Sequence, residues 1–439
     1  MIIIPSGKGL QRALSLTYFP TSDKSVRDVL CYVKIEQIET EKTAITAFGE
    51  GGAWFQRYIQ GSGVTGTTFL FRPNRIEDDE SVATLLGKRE YNESPVAIYQ
   101  DESELAFSSV QEMNGMEIKR EGACNHFPMY DGEVDEETET FGPPQFAQTL
   151  LGEVNAEVFN NMVRDAHNFG GDNYRNYSVC YFVLSPNRLQ ILASNYRRVA
   201  QLCRSARADT DSEAVMAFNA VYLRYLVDLG ADAGTVKICR DEGEEENDMV
   251  TFESDGGRVT LPVYEDRRIY DLVDHQLAVI NEERHGEVEE QVGNPLEYVG
   301  KRVVRLKESY GRVEVQKTRD LQLRLDSKGS NLEVKKLKDT QRKRPDASQL
   351  PIVPDYEDCL DTEWVPLAIN YDFFLRSLGV AVSFINRQEE LPTDAIALNL
   401  YRIWFEQGEL YKYFLLMEPL SSPPTERYQL LYMPNPISE

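Results

Sequence analysis

One segment occurs three times along the chain, and this repetition constrains the fold more than any other feature. The copies read FRPNRIEDDESVATLLG, AFNAVYLRYLVDLG and AINYDFFLRSLG. Each has an apolar strand end, an asparagine suited to cap a helix, an apolar helical run and a closing glycine. The asparagines are Asn74, Asn219 and Asn370, spaced 145 and 151 residues apart. This spacing predicts a repeated domain of roughly 150 residues.

The residues around each copy repeat as well. Alternating apolar and polar stretches, such as VAIYQDESELAFSS, GTVKICRDE and DAIALNLYRIWF, follow the helices and predict strands joined by polar turns. A first helix is predicted in SGKGLQRALSLTY, NAEVFNNMVRDAHNFG and NPLEYVGKRVVRLKESYG. The chain is therefore predicted to be α+β, with helix, strands, helix and strands repeated in three tandem domains.

Polar segments mark the limits of these domains. The acidic Pro-Pro segment 131–146 and the polar segment 274–294 are typical of linkers. Residues 339–363 are charged, contain proline and interrupt the third unit, so we expect a mobile inserted loop. The predicted domains are 1–131, 145–273 and 294–439.

The distribution of charge is more informative than its sum. The formal net charge is −25 over 439 residues, and an acidic surface repels nucleic acid phosphates. Between Lys301 and Arg344, however, fifteen lysines and arginines face six acidic residues, a local excess of +9 that leaves −34 for the rest. This asymmetry is compatible with DNA held on one surface only.

Composition indicates a cytoplasmic protein without a membrane span. No run of 18 apolar residues occurs, and the apolar run at the start is too short for a signal peptide. The cysteines are far apart and show no CxxC spacing, which favours reduced, buried thiols. They are Cys31, Cys124, Cys180, Cys203, Cys239 and Cys359.

Motifs of enzymes are weak, so neither catalysis nor a cofactor is predicted. The histidines His126, His167, His275 and His285 show no metal-binding spacing, and His167 is expected to be partly exposed on a helix. The acidic run 242–248 could imitate a carboxylate metal site, but a solvated hairpin turn fits it better. The glycines at 49–52 lack the helix onset of a phosphate loop and are predicted to form a turn.

Three local motifs resemble the bacterial β sliding clamps, the processivity factors of replicative polymerases. The segment ending in Phe127-Pro128 resembles the end of that family's first domain. LQILASNYRRVAQ is similar to a segment of its second domain, and YQLLYMPNP is similar to its C-terminal Tyr-x-x-Met-Pro ending. Tyr196 stands where the family has glycine and Arg197 where it has histidine, so this is a divergent relative. The resemblance covers nearly the whole chain and implies a ring-shaped homodimer around double-stranded DNA.

Such a ring attracts phosphate at every register through cations on its inner helices and reads no bases. The solvated face of an ordinary helix is the alternative for each of these cations. The predicted DNA-facing residues are Lys8, Arg12, Lys88, Arg89, Arg164, Arg224, Lys301, Arg302, Arg305, Lys307 and Arg376.

The resemblance also implies a groove that takes short apolar peptides from the polymerase and the clamp loader. Plain strand core is the alternative for its apolar members. The corresponding positions are Ser194, Asn195, Tyr196, Arg197, Arg198, Val199, Leu431, Tyr432, Met433 and Pro434.

A sliding clamp that tethers polymerase for processive synthesis is the function that these features favour. An interaction scaffold that keeps the fold without sliding on DNA is the alternative, for instance in a transcription, defence or recombination complex. Cations kept on all the inner helices would distinguish the clamp from the scaffold. An α/β enzyme is a third and weaker hypothesis, which loss of an activity on mutating a histidine or a carboxylate would support.

Overall fold

Two compact units make up the structure. Unit 1 consists of Met1–Asn161, Ala206–Thr210 and Arg224–Tyr264, and unit 2 of Met162–Ser205, Asp211–Leu223 and Glu265–Glu439. The computed structural model describes residues 1–17, 32–49, 52–73, 81–114, 117–129, 148–170, 179–194, 198–208, 213–230, 234–241, 248–263, 296–305, 320–325, 331–336, 348–351, 367–370, 381, 395–404, 411–420, 427–432 and 435–436.

Strands dominate the described residues, and the helices are short. The helices are α1 (Gly7–Ser15), α2 (Val82–Leu86), α3 (Arg89–Asn92), α4 (Ala156–Gly170) and α5 (Leu223–Leu226), the last preceded by a 3-10 turn, Ala220–Tyr222. The strands are β1 (Ile2–Ile4), β2 (Val33–Glu39), β3 (Lys42–Phe48), β4 (Trp54–Gln60), β5 (Ser62–Gly63), β6 (Thr68–Phe71), β7 (Val96–Asp101), β8 (Glu104–Asn114), β9 (Glu117–Pro128), β10 (Gln148–Asn155), β11 (Val179–Ser185), β12 (Arg188–Ser194), β13 (Arg198–Ser205), β14 (Arg207–Ala208), β15 (Ala214–Asn219), β16 (Thr235–Asp241), β17 (Met249–Ser254), β18 (Gly257–Pro262), β19 (Leu296–Arg305), β20 (Asp320–Leu325), β21 (Asn331–Lys336), β22 (Ser348–Pro351), β23 (Leu367–Asn370), β24 (Ala395–Trp404), β25 (Tyr411–Pro419), β26 (Arg427–Tyr432) and β27 (Asn435–Pro436).

The first helices of the first two repeats are confirmed. In α1 the Ser6 hydroxyl accepts from the Gly9 backbone N–H at 3.0 Å, which caps the helix. In α4 the side chain of Asn155 accepts from Val158 N at 3.2 Å. Both helices place apolar residues at helical spacing on a buried face, and this pattern made them predictable.

The asparagine caps of the second helices have mixed outcomes. Asn219 confirms its prediction, since its side chain accepts from Val221 N at 3.0 Å. The corresponding helix of the first repeat begins at Val82, with Ser81 as the cap, and Asn74 lies outside the described residues. Asn370 ends β23, and the helix predicted after it is outside them apart from Ala381.

The first helix predicted for the third repeat is wrong over the part that can be compared. Leu296–Arg305 is strand β19, which pairs antiparallel with β24. Its valines and its tyrosine favour extended backbone, and pairing with an apolar neighbouring strand outweighs the helical spacing of the apolar residues. Lys301, Arg302 and Arg305 therefore lie on a strand, where positions 301 and 302 fall on opposite faces.

Unit 1 contains two sheets and a core between them and the helices. Their strand orders are β5-β1-β7-β8-β9 and β14-β10-β16-β17-β18-β4-β3-β2-β6. Leu10 and Leu86, from α1 and α2, belong to a continuous cluster of buried side chains with Phe71, Phe107 and Phe127. The ring centroids of Phe107 and Phe127 lie 5.6 Å apart in an edge-on arrangement. Phe127 of the Phe-Pro motif is therefore a core residue.

Unit 2 contains two further sheets, ordered β15-β11-β12-β13-β26-β25-β24-β19 and β22-β21-β20-β23-β27. In both units one antiparallel contact joins strands from consecutive predicted domains. These contacts are β4 with β18 in unit 1 and β13 with β26 in unit 2. Edge-to-edge pairing of this kind makes continuous sheets out of successive repeats, so the compact units do not follow the repeat limits.

Candidate nucleic-acid and partner-binding sites

Two of the predicted DNA-facing arginines lie together at the meeting point of α1 and α5 in unit 1. Arg12, in the last turn of α1, forms an ion pair with Asp228 just after α5. Arg224 of α5 donates from Nη2 to the Ser15 carbonyl oxygen at 3.2 Å and lies over the Tyr225 ring at 5.0 Å. The two arginines thus make reciprocal contacts at the ends of the two helices, where cations are favoured by the helix dipole.

A buried arginine, which the sequence analysis did not predict, binds the main chain at the end of α5 beneath these two arginines. Arg57 of β4 is 3% exposed and donates to the carbonyl oxygens of Tyr225, Val227 at 2.9 Å and Asp228 at 3.0 Å. Burial lowers the pKa of its guanidinium to about 10, while the Asp228 carboxylate acts in the opposite direction and the Arg12 charge lowers the pKa further. One side chain therefore satisfies three carbonyls at the C-terminal end of α5, which helix ends otherwise leave without partners.

Asp228 has an unusual backbone that fits this position. Its φ is 53°, in the left-handed region that asparagine and aspartate adopt more readily than most residues. Phe55, two residues before Arg57, stacks on Tyr225 with the ring centroids 4.2 Å apart. Arg57 thus holds the backbone of Asp228, while the Asp228 carboxylate reaches Arg12.

The other predicted DNA-facing residues are less closely grouped. Lys8 is exposed one helical turn before Arg12 on α1, so both lie on one face of that helix. Lys88 precedes α3 and is exposed, and Arg89 pairs with Glu93 at 3.2 Å. Arg164 lies on α4 and is partly buried, whereas Lys307 and Arg376 are outside the described residues.

Three of the predicted partner-groove positions form one row across neighbouring strands in unit 2. Ser194 of β12 is the Cα partner of Val199 of β13, which is the partner of Leu431 of β26. Leu431 in turn is opposite Leu416 of β25. Directly opposed residues share one face of a sheet, so pairing alone aligns two distant segments of the sequence. Ser194 is 5% exposed and Val199 is 3% exposed.

The rest of the groove positions lie around this row. Arg198 and Tyr432 are opposed Cα partners in the next row. Five further positions fall outside the described residues, namely Asn195, Tyr196, Arg197, Met433 and Pro434.

A buried polar strip next to this row was not predicted. Gln201 and Gln429 are opposed Cα partners two positions along β13 and β26, and both are buried. The amide of Gln429 donates to Glu418 Oε2 at 3.3 Å, and that of Asn399 donates to Glu418 Oε1 at 3.1 Å. Such polar pairs fix the register of neighbouring strands, because a slip would leave buried amides without partners.

The histidines and glycines that could have suggested an enzyme have structural surroundings. His126 of β9 lies 2.9 Å from the Asp101 carboxylate, and His167 is partly exposed on α4, as predicted. The backbone N–H of Gly49 donates to the Ala53 carbonyl at 2.9 Å, and Gly52 has a φ of 83°, as a turn between β3 and β4 requires. Residues 242–247 of the acidic run lie outside the described residues.

Two further kinds of feature, metal-binding clusters and membrane-spanning helices, bear on the function. Within the described ranges no group of three or more His, Cys, Asp or Glu side chains could hold a metal ion. The same residues include no helix long and apolar enough to cross a membrane.

The thiols only partly match their prediction. Cys180, Cys203 and Cys239 are free and buried, and burial raises the pKa of the Cys180 thiol well above its usual value. Cys124 is exposed, so the prediction of burial is wrong there. Its strand β9 ends a sheet, and its side chain shares an outer face with Tyr99, whose hydroxyl lies 3.7 Å from Sγ. Cys31 and Cys359 lie outside the described residues.

Comparison with known proteins gives matches in structure but not in sequence. No protein-family profile and no curated protein matches the chain. The DNA polymerase III subunit beta from Borrelia burgdorferi, in complex with a natural product, has a TM-score of 0.58 at 16% identity, covering 100% of this chain and 99% of that chain. The DNA polymerase III beta subunit from Thermotoga maritima has a TM-score of 0.59 at 15% identity, with 100% of both chains covered.

A third structure contains a bound peptide. The Helicobacter pylori beta clamp bound to a DNA ligase peptide has a TM-score of 0.55 at 14% identity, covering 99% of this chain and 100% of that chain. Identities this low carry information about the fold alone. The match extends over essentially the full length of every chain compared, in agreement with the repeats and the edge-to-edge sheets. The chain has the fold of the bacterial DNA polymerase III β sliding clamps.

Proposed function

We propose that this protein is a DNA sliding clamp, a ring-shaped homodimer that encircles duplex DNA and tethers polymerase and other partners for processive synthesis. The observation that carries the proposal is the full-length match to β clamps, with TM-scores of 0.58 and 0.59. The proposed role is one of binding, without catalysis or a cofactor, in the cytoplasm.

The repeated sheet contacts support closure into a ring. At each of two junctions, a strand near the end of one repeat pairs with the fourth strand of the repeat before it. Strand β18 pairs with β4, and β26 pairs with β13. The corresponding strands still without a neighbour on one side, among the described residues, are β9 and β22. Unpaired strand edges favour association with another chain. A head-to-tail pair of chains would join β9 of each copy to β22 of the other and close the ring.

The DNA contact would depend on phosphates rather than bases. Lys8 and Arg12 are exposed on α1, and Arg224 lies beside them on α5. Sparse cations on rigid helices attract the backbone equally at every register, which permits sliding. The overall charge of −25 would confine the duplex to surfaces where cations are concentrated.

Partner binding would use the row formed by Ser194, Val199 and Leu431 with the segments on either side of it. The Helicobacter pylori clamp was solved with a DNA ligase peptide bound, which supports peptide motifs as the means of docking here too. A polymerase and a clamp loader that carry short apolar motifs are the proposed partners. Apolar side chains at such a site repack around different anchors, which suits exchange between partners.

The proposal can be tested without a clamp loader. Light scattering should give twice the chain mass of 50.2 kDa. The protein is then incubated with a linear duplex carrying biotin at both ends, and streptavidin is added before or after the protein. A closed ring can thread onto the duplex only while its ends are free, and it stays on only once streptavidin blocks them. Protein retained on the duplex when streptavidin is added after it, but not when streptavidin is added before it, therefore indicates a closed ring around DNA. A monomer, or retention that does not depend on the ends, would favour the scaffold instead.

A further inference from the structure

We propose that the Asp228 carboxylate weakens DNA binding and so acts as an electrostatic brake on it. The carboxylate holds the Arg12 guanidinium, and the DNA phosphates must compete with it for that cation. This inference rests on the proposed function, since it treats α1 as a DNA-facing surface. An acidic residue outside α1 would then determine how strongly a cation of α1 binds the duplex.

The exposure of the two partners decides which of them a ligand can reach. The Arg12 side chain is 62% exposed, whereas that of Asp228 is 22% exposed. A phosphate arriving from solvent can approach the arginine directly and would repel the more sheltered carboxylate. The two anions therefore compete for one guanidinium.

The main chain of Asp228 is held in place, which keeps its carboxylate close to Arg12. The Asp228 carbonyl oxygen accepts from Arg57 Nη1 at 3.0 Å, and the Asp228 backbone has the left-handed φ of 53°. Asp228 lies two residues after the end of α5, and Arg57 also binds the carbonyl oxygens of Tyr225 and Val227. Arg12 is the partner with conformational freedom, and its equilibrium between carboxylate and phosphate sets the strength of the brake.

The expected effect is modest because the pair is solvated. Exposed ion pairs contribute little in water, so freeing Arg12 should tighten DNA binding by about two- to five-fold. A cation newly available to phosphate should also steepen the dependence of log K on log salt concentration by up to about 0.9. An effect of this size adjusts the grip and leaves sliding possible.

The test uses the full chain and a short linear duplex of mixed sequence with free ends. Asp228→Asn removes the charge. Asparagine also tolerates the left-handed backbone, and the main-chain carbonyl bound by Arg57 is unchanged. Asp228→Gly removes the carboxylate in a second way that suits the same φ. Asp101→Asn is the matched control for net charge, because Asp101 pairs with His126 on the outer face of a sheet. Binding is measured by fluorescence anisotropy over a range of salt, with thermal unfolding as the folding check.

The brake requires that both Asp228 variants bind DNA more tightly with a steeper salt dependence, and that Asp101→Asn does not. It also requires that Asp228→Asn has no such effect when combined with Arg12→Gln. Tightening that persists without Arg12, or that Asp101→Asn reproduces, would overturn it. Unchanged binding by Asp228→Asn, in a protein whose binding still depends on Arg12, would overturn the brake alone. Absence of DNA binding by the unmodified protein would overturn the proposed function together with the brake.

Discussion

The guanidinium of Arg57 donates to the main-chain carbonyl oxygen of Asp228 at 3.0 Å, although 171 residues separate the two in sequence. Through its carboxylate Asp228 also binds Arg12. A strand of the first repeat, a helix of the first repeat and a helix end of the second repeat therefore meet at one residue. Since β4 and β18 pair close by, the junction between these repeats combines backbone pairing with a buried charge.

Replacing Arg57 with methionine should lower the free energy of unfolding by about 2 to 4 kcal/mol, since it removes the donor from one buried and two partly buried carbonyls. Arg57→Lys should recover only part of the loss, because an ammonium group cannot reproduce the planar fork of donors. Arg12→Met is the control, and it should cost at most about 1 kcal/mol because Arg12 is exposed. Urea unfolding followed by circular dichroism measures all three. Equal losses for Arg57→Met and Arg12→Met would contradict a structural role for the buried guanidinium.

The Arg57 contact marks the limit of what the sequence could predict. Helices α1 and α4 and the Asn219 cap depend on residues a few positions apart, so their pattern is local and readable. Arg57 binds carbonyls about 170 residues away, and nothing in its neighbours specifies that contact. For β19 the local pattern was misleading, because pairing with β24 decided its backbone.

The residues of the candidate sites likewise divide into those that could be predicted from the sequence and those that depend on distant contacts. Family resemblance placed Val199 and Leu431 in one site, and the strand register brings them opposite each other. Gln201 and Gln429 were missed because glutamine side chains are usually exposed, whereas here both are buried on neighbouring strands of one sheet. The exposure of Cys124 was missed although its neighbours along β9, KREGACNH, are mostly polar, and nothing in them indicates that the strand ends a sheet.

Thiol reactivity should separate the cysteines according to burial. We expect iodoacetamide to modify Cys124 in the native protein, and Cys180, Cys203 and Cys239 only after unfolding. The thiolate is the reacting species, and burial both blocks the reagent and raises the pKa of the Cys180 thiol. Peptide-level mass spectrometry distinguishes the four sites. Rapid native labelling of Cys180 would contradict the packing of β11.

Removing exposed cations from α1 should weaken DNA binding without unfolding the protein. Lys8→Gln combined with Arg12→Gln should reduce the slope of log K against log salt by up to about 1.8, or about 0.9 for each lost phosphate contact. Because Arg12 is already paired with Asp228, we expect its share to be the smaller one. Lys34→Gln is the control, since Lys34 pairs with Glu36 on β2 at 2.8 Å. If the Lys8→Gln and Arg12→Gln variant has the same salt slope as the unmodified protein, the duplex does not contact α1.

Partner binding should depend on Val199 and Met433 together. Val199 lies in the row that joins β12, β13 and β26, and Met433 directly follows β26. A buried anchor in a binding groove typically contributes about 2 kcal/mol or more, so Val199→Ala with Met433→Ala should weaken binding of an apolar peptide motif at least about tenfold. The ring and its DNA contact should be retained, since both depend on other surfaces.

Because Val199 is only 3% exposed, this experiment needs a control for packing. Val183→Ala makes the same chemical change at a residue 1% exposed on β11, outside the row. Each valine truncation should cost a similar amount of stability, about 1 to 2 kcal/mol for the lost methyl groups and the space they leave. Fluorescence anisotropy of a labelled peptide, together with urea unfolding, separates the two effects. If Val183→Ala weakens peptide binding as much as Val199→Ala, the row is strand core, and the groove must be sought at other residues.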